Sequence, residues 1–519
     1  MQLVAYGAQD VFLTGNPQIT FFKIVYRRHT NFAVESIEQT FNGSVDFSRK
    51  VSCTISRNGD LITKMYLRVT LSAGDAGAGN TWGWVSRVGH ALIDNVELEV
   101  GGTRIDKQYG DWLNIWYELA RNYAQERGYN KLIGNVPELT TLSQSHQAAV
   151  LYVPLKFFSN RHDGLAIPLI ALQYHETKVN FEFRSLAQCV NYTNNTNLST
   201  MGLKMNDATL FVDYVYLDNE ERKRFAQAQH EYLIEQVQFT GDESVSSVSQ
   251  KFRLNFNHPC KALYWGLKLG RYTTGKSFLA FNPFNTEAAR IEATKRWVLA
   301  VAEYDSVDPT KLKLTSNRLA LASGTGLPSG SSAIFTRINP VALTSEADVD
   351  NITILGSPLS VEEFSKPCAD LFGSFTRPTT GDGAASRDVR VCQWDNYGIY
   401  LDRTGNPLQK ALLQLNGHDR FTERDGAYFN YVQPYQHHSN TPADGVNMYS
   451  FALNPEEHQP SGTCNMSRID NATLNLTFGD GSTSFKNNFL ADDSKISIYA
   501  TNYNVFRIMS GMGGLAYSN

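Results

Sequence analysis

Apolar and charged residues alternate at period two through Val96, Glu97, Leu98, Glu99 and Val100, break at Gly101-Gly102, and resume at Thr103, Arg104 and Ile105. Period two places alternate side chains on opposite faces of a strand. A Gly-Gly pair between two such runs predicts a tight hairpin whose turn residues need positive φ. The pattern returns far downstream, where Leu412, Leu413, Gln414 and Leu415 lead into Asn416-Gly417 and then His418-Asp419-Arg420-Phe421. Asn-Gly suits the same turn. The neighbours recur too. Glu35-Ser36-Ile37-Glu38-Gln39 is matched by Glu235-Gln236-Val237-Gln238-Phe239. Ile55-Ser56-Arg57-Asn58, leading to Met65-Tyr66-Leu67, is matched by Leu254-Asn255-Phe256-Asn257, leading to Leu263-Tyr264-Trp265. Lys178-Val179-Asn180-Phe181-Glu182-Phe183 is echoed by Thr473-Leu474-Asn475-Leu476-Thr477-Phe478. Four β-type segments in one order predict two copies of one β domain.

Residues 31–217 read as short strands separated by Gly, Asn and Pro, the signature of a sandwich. Strands are expected at 151–158, 165–171, 178–183 and 210–217. One helix interrupts them. Trp112, Ile115, Trp116, Leu119 and Tyr123 form an apolar stripe at helical spacing after Asp111, read as a helix covering the open end of a sandwich. The charge run 218–224 has Asp218 at an N-cap position and Glu221 three residues on, which predicts a short connecting helix. The boundary between the copies is placed near residue 222, with the first copy at 31–222 and the second at 223–519. The second copy holds far more chain between its second and third matched segments, an insertion within 266–410. Its Gly/Ser-rich 323–330, its capping pattern at Ser360 and its apolar runs 297–302 and 352–355 suit a partly ordered loop. Residues 1–30 have no counterpart in the second copy and no clean period. They read as an arm outside the first sandwich or as an edge strand of it, with Lys23, Arg27 and Arg28 suited to an acidic partner or anionic lipid.

At 519 residues the chain is too long for one core, which agrees with two domains. Aromatic residues make up 12%, a load that favours strands. The net charge of −4 supplies no field that would collect nucleic acid, so no specific nucleic-acid partner is expected. Six cysteines lie far apart without a C-x-x-C pair, so reduced, mostly buried thiols are expected. The first ten residues lack the basic and apolar blocks of a secretory leader, and synthesis in the cytosol is the expectation. Eight N-x-[ST] triplets are therefore read as mostly unused.

Candidate chemistry is sparse. No phosphate-binding loop, dinucleotide fingerprint, H-E-x-x-H or nucleophile elbow occurs. His162-Asp163, His418-Asp419 and His437-His438 sit beside turn residues and read as polar turn groups. No catalytic, cofactor-binding or metal-ligating residue is assigned, and the residues singled out are the turn positions Gly101, Gly102, Asn416 and Gly417.

Several long blocks resemble one known family. They include residues 2–32 (Tyr6-Gly7-Ala8-Gln9-Asp10, Leu13-Thr14-Gly15-Asn16-Pro17) and Ile55-Ser56-Arg57-Asn58-Gly59-Asp60. They continue through Pro168-Leu169-Ile170-Ala171-Leu172-Gln173-Tyr174-His175-Glu176, Leu254-Asn255-Phe256-Asn257-His258-Pro259 and Pro460-Ser461-Gly462-Thr463-Cys464-Asn465. The last block is Arg507-Ile508-Met509-Ser510-Gly511-Met512-Gly513-Gly514. All resemble the major capsid proteins of large icosahedral double-stranded DNA viruses, in the algal-virus and mimivirus-like branch. The resemblance spans nearly the whole chain and fades in 266–410. It implies an all-β fold of two consecutive eight-stranded jelly-roll β-sandwiches with a few short helices in loops. It implies a homotrimer of pseudo-hexagonal outline that meets neighbouring capsomers, minor capsid and penton proteins, with an internal viral membrane near the N-terminal arm. Lys23, Arg27 and Arg28 would then be inner-face contacts. The location implied is the virion shell, assembled in the host cytoplasm. A carbohydrate-binding module or a glycan-processing sandwich enzyme would be the competing classes, since jelly rolls also serve lectins.

Overall fold

A computed structural model of the chain describes residues 7–268, 406–479 and 494–517, apart from 79, 81, 86, 141–142, 193–197 and 443–444, together with two isolated pairs of two-residue strands inside 313–392. The insertion expected within 266–410 lies almost wholly outside the described residues, as do the segments read at 297–302, 323–330, 352–355 and 360.

Eight strands build the first roll: β1 (Phe32–Thr40), β2 (Lys50–Thr54), β3 (Leu61–Leu71), β4 (Ile93–Val100), β5 (Thr103–Tyr109), β6 (Ala149–Pro154), β7 (Thr177–Phe183) and β8 (Met205–Leu217). They pair antiparallel in the orders β1-β8-β3-β6 and β2-β7-β4-β5. Neighbours in space are thus distant in sequence, the jelly-roll arrangement of two facing sheets. The second roll repeats it with β9 (His230–Phe239), β10 (Ser249–Arg253), β11 (Pro259–Lys268), β12 (Leu408–Leu415), β13 (His418–Asp419), β14 (Val446–Ser450), β15 (Ala472–Phe478) and β16 (Lys495–Met509). Their orders are β9-β16-β11-β14 and β10-β15-β12-β13, and β17 (Met512–Leu515) adds to β16.

Alternation drives each roll closed. In β7, Val179, Phe181 and Phe183 are buried while Lys178, Asn180 and Glu182 are half-exposed. In β15, Leu474, Leu476 and Phe478 do the same. Val179 lies opposite Leu98 and Cys53, and Leu474 opposite Leu413 and Phe252, so each inner face zips into one core. The turn residues Gly101 and Gly102 have φ of 58° and 82°, and Asn416 and Gly417 have 53° and 79°. Gly101 is the more constrained, because a Cβ there would fall 2.1 Å from His175 Nδ1.

The described chain differs from the expected strands between β6 and β7. Residues 158–161 are helical, and only Ile167–Pro168 of the expected strand at 165–171 pairs, with Leu61 and Ile62. The segment turns through hydrogen bonds such as Leu172 N to the Leu169 carbonyl, so its apolar residues fill the core without entering the ladder. Cys53, Cys189 and Cys260 are buried free thiols and Cys464 is a half-buried one.

Candidate functional site

Two helices matter to how the rolls meet, α2 (Gly110–Ala120) and α3 (Asn219–Gln227), whereas α1 (Asp10–Thr14) lies on the exposed segment before β1. In α3 the Asp218 carboxylate accepts the Glu221 N–H at 3.0 Å, a side-chain N-cap that starts the connector between the rolls. The stripe of α2 does not cover the end of its own sandwich. Trp112, Ile115, Trp116 and Leu119 pack against Ala262, Tyr264, Val446, Met448 and Tyr499 of the second roll. The helix also ends at Ala120, before Tyr123. The physical reason lies in β11, where residues from Cys260 to Leu267 are buried on both faces and the outer face offers apolar surface only a partner element can cover. Trp112 meets Tyr264 edge-on at 5.0 Å and tilts against Tyr499 at 5.7 Å, geometries favoured by the ring quadrupoles.

A polar cluster pins this apolar joint. Glu235 of β9 receives Arg161 at 2.5 Å, Lys261 Nζ at 3.0 Å and His458 Nδ1 at 3.3 Å. Lys261 is fully buried and also donates to the Glu457 carbonyl at 2.7 Å, while Arg161 lies over the Trp116 ring at 4.4 Å. Burial alone would raise the Glu235 carboxyl, but Arg161, His458 and Lys261 outweigh it and hold the group down to about 2. Beside it, the His438 side chain is buried with Nδ1 2.8 Å from Glu456 and Nε2 3.4 Å from the Tyr264 hydroxyl. Burial lowers His438, with Glu456 opposing.

Two more clusters continue the joint. Arg184 binds Asp111 at 2.9 Å, and Lys268 reaches Asp111 from the second roll at 3.5 Å. Asp111 lies in the first turn of α2, where the helix dipole also favours a carboxylate. Arg87 pairs with Glu118 of α2, both fully buried, and its guanidinium lies 4.9 Å from the Tyr117 ring centre. Facing β9, the buried Asp106 accepts the N–H groups of Val237 at 3.1 Å and Lys107 at 3.0 Å and the Gln108 amide at 3.0 Å. Burial pushes its carboxyl up to about 6 in spite of those donors. It borders a cleft of about 250 Å³ between β5 and β9, lined also by Arg104, Lys107 and Tyr517.

Sequence reasoning did not assign these clusters. Their signal was a charge inside an apolar run, Lys261 between Cys260 and Ala262 in a segment otherwise apolar to Leu267. Of the histidines read as turn groups, His162 caps Gly164 at 3.0 Å and His418 is exposed, whereas His438 belongs to the buried joint. The structure places Gly101, Gly102, Asn416 and Gly417 at the two hairpins and does not bring them together with Lys23, Arg27 and Arg28. Those three cations lie on the exposed segment before β1, which carries α1 and no strand among its described residues. Its apolar residues are exposed too, Phe12 at 93% and Phe22 at 99%. Among the described residues no group of three or more His, Cys, Asp or Glu could hold a metal ion, and no helix is long and apolar enough to cross a membrane.

Two rolls of one strand order, locked by a buried aromatic joint with buried ion pairs, define a double jelly-roll protein. Comparison with known proteins agrees. The family model described as large eukaryotic DNA virus major capsid protein matches residues 221–514, and the one described as major capsid protein N-terminus matches residues 20–218. Capsid protein 1 of Acanthamoeba polyphaga mimivirus is 42% identical over 593 aligned positions, covering 100% of this chain and 99% of that protein. The major capsid protein of Phaeocystis pouchetii virus is 44% identical over 564 positions with the same coverage. Among solved structures, the chain in a quasi-atomic model of the PBCV-1 virus capsid matches with a TM-score of 0.62 at 36% identity, over 96% of this chain and 100% of that one. The chain belongs to the family of major capsid proteins of large eukaryotic DNA viruses. It is a structural protein of the virion shell and not an enzyme.

Proposed function

We propose that three copies of the chain form a homotrimer, that the six rolls give it a pseudo-hexagonal outline, and that such capsomers tile an icosahedral shell. The observation that carries this reading is the duplication: both rolls have the same strand order, so a threefold axis yields six near-equivalent sides. Permanent assemblies of this kind use large interfaces with apolar centres. In this reading the chain divides into an arm (1–30), a first roll (31–222) and a second roll (223–519). The 266–410 insertion faces outward, because the lateral faces meet neighbours and the inner face meets minor capsid and penton proteins. Lys23, Arg27 and Arg28 on the exposed arm suit an acidic partner or the anionic surface of an internal viral membrane. Assembly takes place in the host cytoplasm.

Light scattering on the purified chain tests the core of the proposal. A mass of three chains at micromolar concentration is expected, and a stable monomer would overturn it.

A further inference from the structure

Two of the free thiols face each other. Cys260 of β11 is paired across the ladder with Cys464, which belongs to the two-residue strand Cys464–Asn465. Residues directly opposite in an antiparallel pair have Cα atoms about 4.5–5.5 Å apart and point their side chains to one face. A disulfide spans Cα separations of about 4.4–6.8 Å, so the ladder already holds this pair at bonding distance. Both side chains turn inward. Cys260 is fully buried in the core of the second roll, and Cys464 is half-buried against the same core. The Cys260 thiol donates to the Asn257 carbonyl at 3.5 Å. Cys53, by contrast, lies opposite Val179 in its ladder.

The pair closes a strap over the joint between the rolls. β14 leaves β11 at Ser450, opposite Ala262, and the chain rejoins β11 at Cys464, opposite Cys260. Residues 451–463 loop out between these two points and complete the polar cluster. The Glu456 carboxylate faces His438 and its carbonyl receives Arg161 at 3.0 Å. The Glu457 carbonyl receives Lys261, His458 lies by Glu235, and the His458 carbonyl receives the Tyr503 hydroxyl at 2.9 Å. The returning strand is two residues long, and one of its partners, Pro259, donates no ladder hydrogen bond.

We propose that Cys260 and Cys464 are a covalent modification site, a dithiol that a small-molecule disulfide oxidises to a cross-strand disulfide, clamping the strap 451–463 onto β11. Disulfides persist outside the cell and on virion surfaces, whereas cytosolic thiols are kept reduced, so the bond forms after the shell leaves the cell. That timing rests on assembly in the host cytoplasm; the bond itself does not.

Burial raises both thiols, and at the half-buried Cys464 the Arg420 charge opposes the rise. Cys464 is therefore the first to attack. Its thiolate bonds to one sulfur of the reagent and breaks the S–S bond, and the released thiolate takes up the proton that Cys464 gave up. Cys260 then gives up its own proton, bonds to the Cys464 sulfur and expels the second thiolate, which takes that proton. The protein loses two electrons and two protons, and the reagent is reduced to two thiols. The new bond joins residues far apart in the chain, so it constrains the unfolded state. Lys261 follows Cys260 directly, which sets the clamp beside the buried ammonium that Glu235 and the Glu457 carbonyl hold.

The test uses the full chain, purified under reductant and then incubated with oxidised glutathione at mildly alkaline pH. Mass spectrometry of an unreduced digest should find the peptides containing Cys260 and Cys464 joined and two hydrogens lighter than their sum. Cys53 and Cys189 should remain open to alkylation after unfolding. The melting temperature should rise by roughly 5–10 °C and return when dithiothreitol is added. The Cys464→Ala variant should show neither the link nor the rise, at whatever temperature it melts. Glutathione retained on Cys464, a link from either residue to Cys368 or Cys392, or both thiols still open to alkylation would overturn the pairing. A link without a rise in melting temperature would overturn the clamp. The oligomeric mass is read separately, so either failure leaves the trimer reading standing.

Discussion

Removal of the Glu235 carboxylate tests how dry the joint between the rolls is. Glu235→Ala would leave Arg161 and the fully buried Lys261 without their shared anion. Two routes set the magnitude. A carboxyl held down from its ordinary 4.5 to about 2 is stabilised by about 3 kcal/mol in its charged form. Breaking a buried pair by deleting one partner typically costs about 3–5 kcal/mol. Glu235 is only 7% exposed, so screening by solvent removes little of this. At about 2–4 °C per kcal/mol for a domain of this size, the melting of the second roll should fall by roughly 6–12 °C. Calorimetry at neutral pH reads the shift directly. The pH dependence has a fixed sign: the folded-state carboxyl lies below its unfolded value, so its contribution is complete above 4.5 and is lost as the pH falls toward about 2. The variant should lack that loss. A shift under about 1 kcal/mol would mean that the cluster behaves as a hydrated surface pair and would refute the reasoning.

Asp106 should act in the opposite sense. Its folded carboxyl is raised from 3.8 to about 6, so the stability it contributes is present below 3.8 and lost as the pH rises through about 6; Asp106→Asn should flatten denaturant midpoints between pH 4 and 7, and an unchanged slope would contradict the assignment. At the first hairpin, Gly101→Ala forces a Cβ against His175, whose Nδ1 accepts the Gly513 N–H at 3.1 Å, and should lower stability by about 2–3 kcal/mol. Gly102→Ala, with open space around its Cβ, should lose only about 1 kcal/mol; equal losses on urea titration would show that His175 moves freely. Deletion of residues 2–22 removes exposed side chains such as Phe12 and Phe22, so the chain should melt as before and keep its oligomeric mass while particle assembly fails. A lower melting temperature would place the arm in the core.

Much of the fold was legible because strand chemistry is local. The alternation of Val179, Phe181 and Phe183 with Lys178, Asn180 and Glu182 states which face of β7 is inside, and the same statement recurs in β15. Repetition of such segments in one order exposed the duplication, and the hairpins announced themselves through Gly101-Gly102 and Asn416-Gly417. The strand expected at 165–171 failed for a local reason as well: a short apolar run fills a core equally well as a turn. The helical stripe from Trp112 to Leu119 was also readable as a stripe.

What the stripe packs against was not readable, because period reports which face is apolar and is silent on the surface that covers it. Only the tertiary structure carried Trp112 and Trp116 onto Tyr264 and Tyr499, over 140 residues away in the chain. The same holds for Arg161 of the first roll, which reaches the cluster of Glu235, Lys261 and His458 in the second only when the rolls are docked. Sequence by itself determined two β-sandwiches, their order and their turns, since those follow from side-chain alternation and backbone sterics. The joint between them was decided by tertiary structure alone, since pairing buried charges and rings depends on through-space distance that no spacing along the chain encodes.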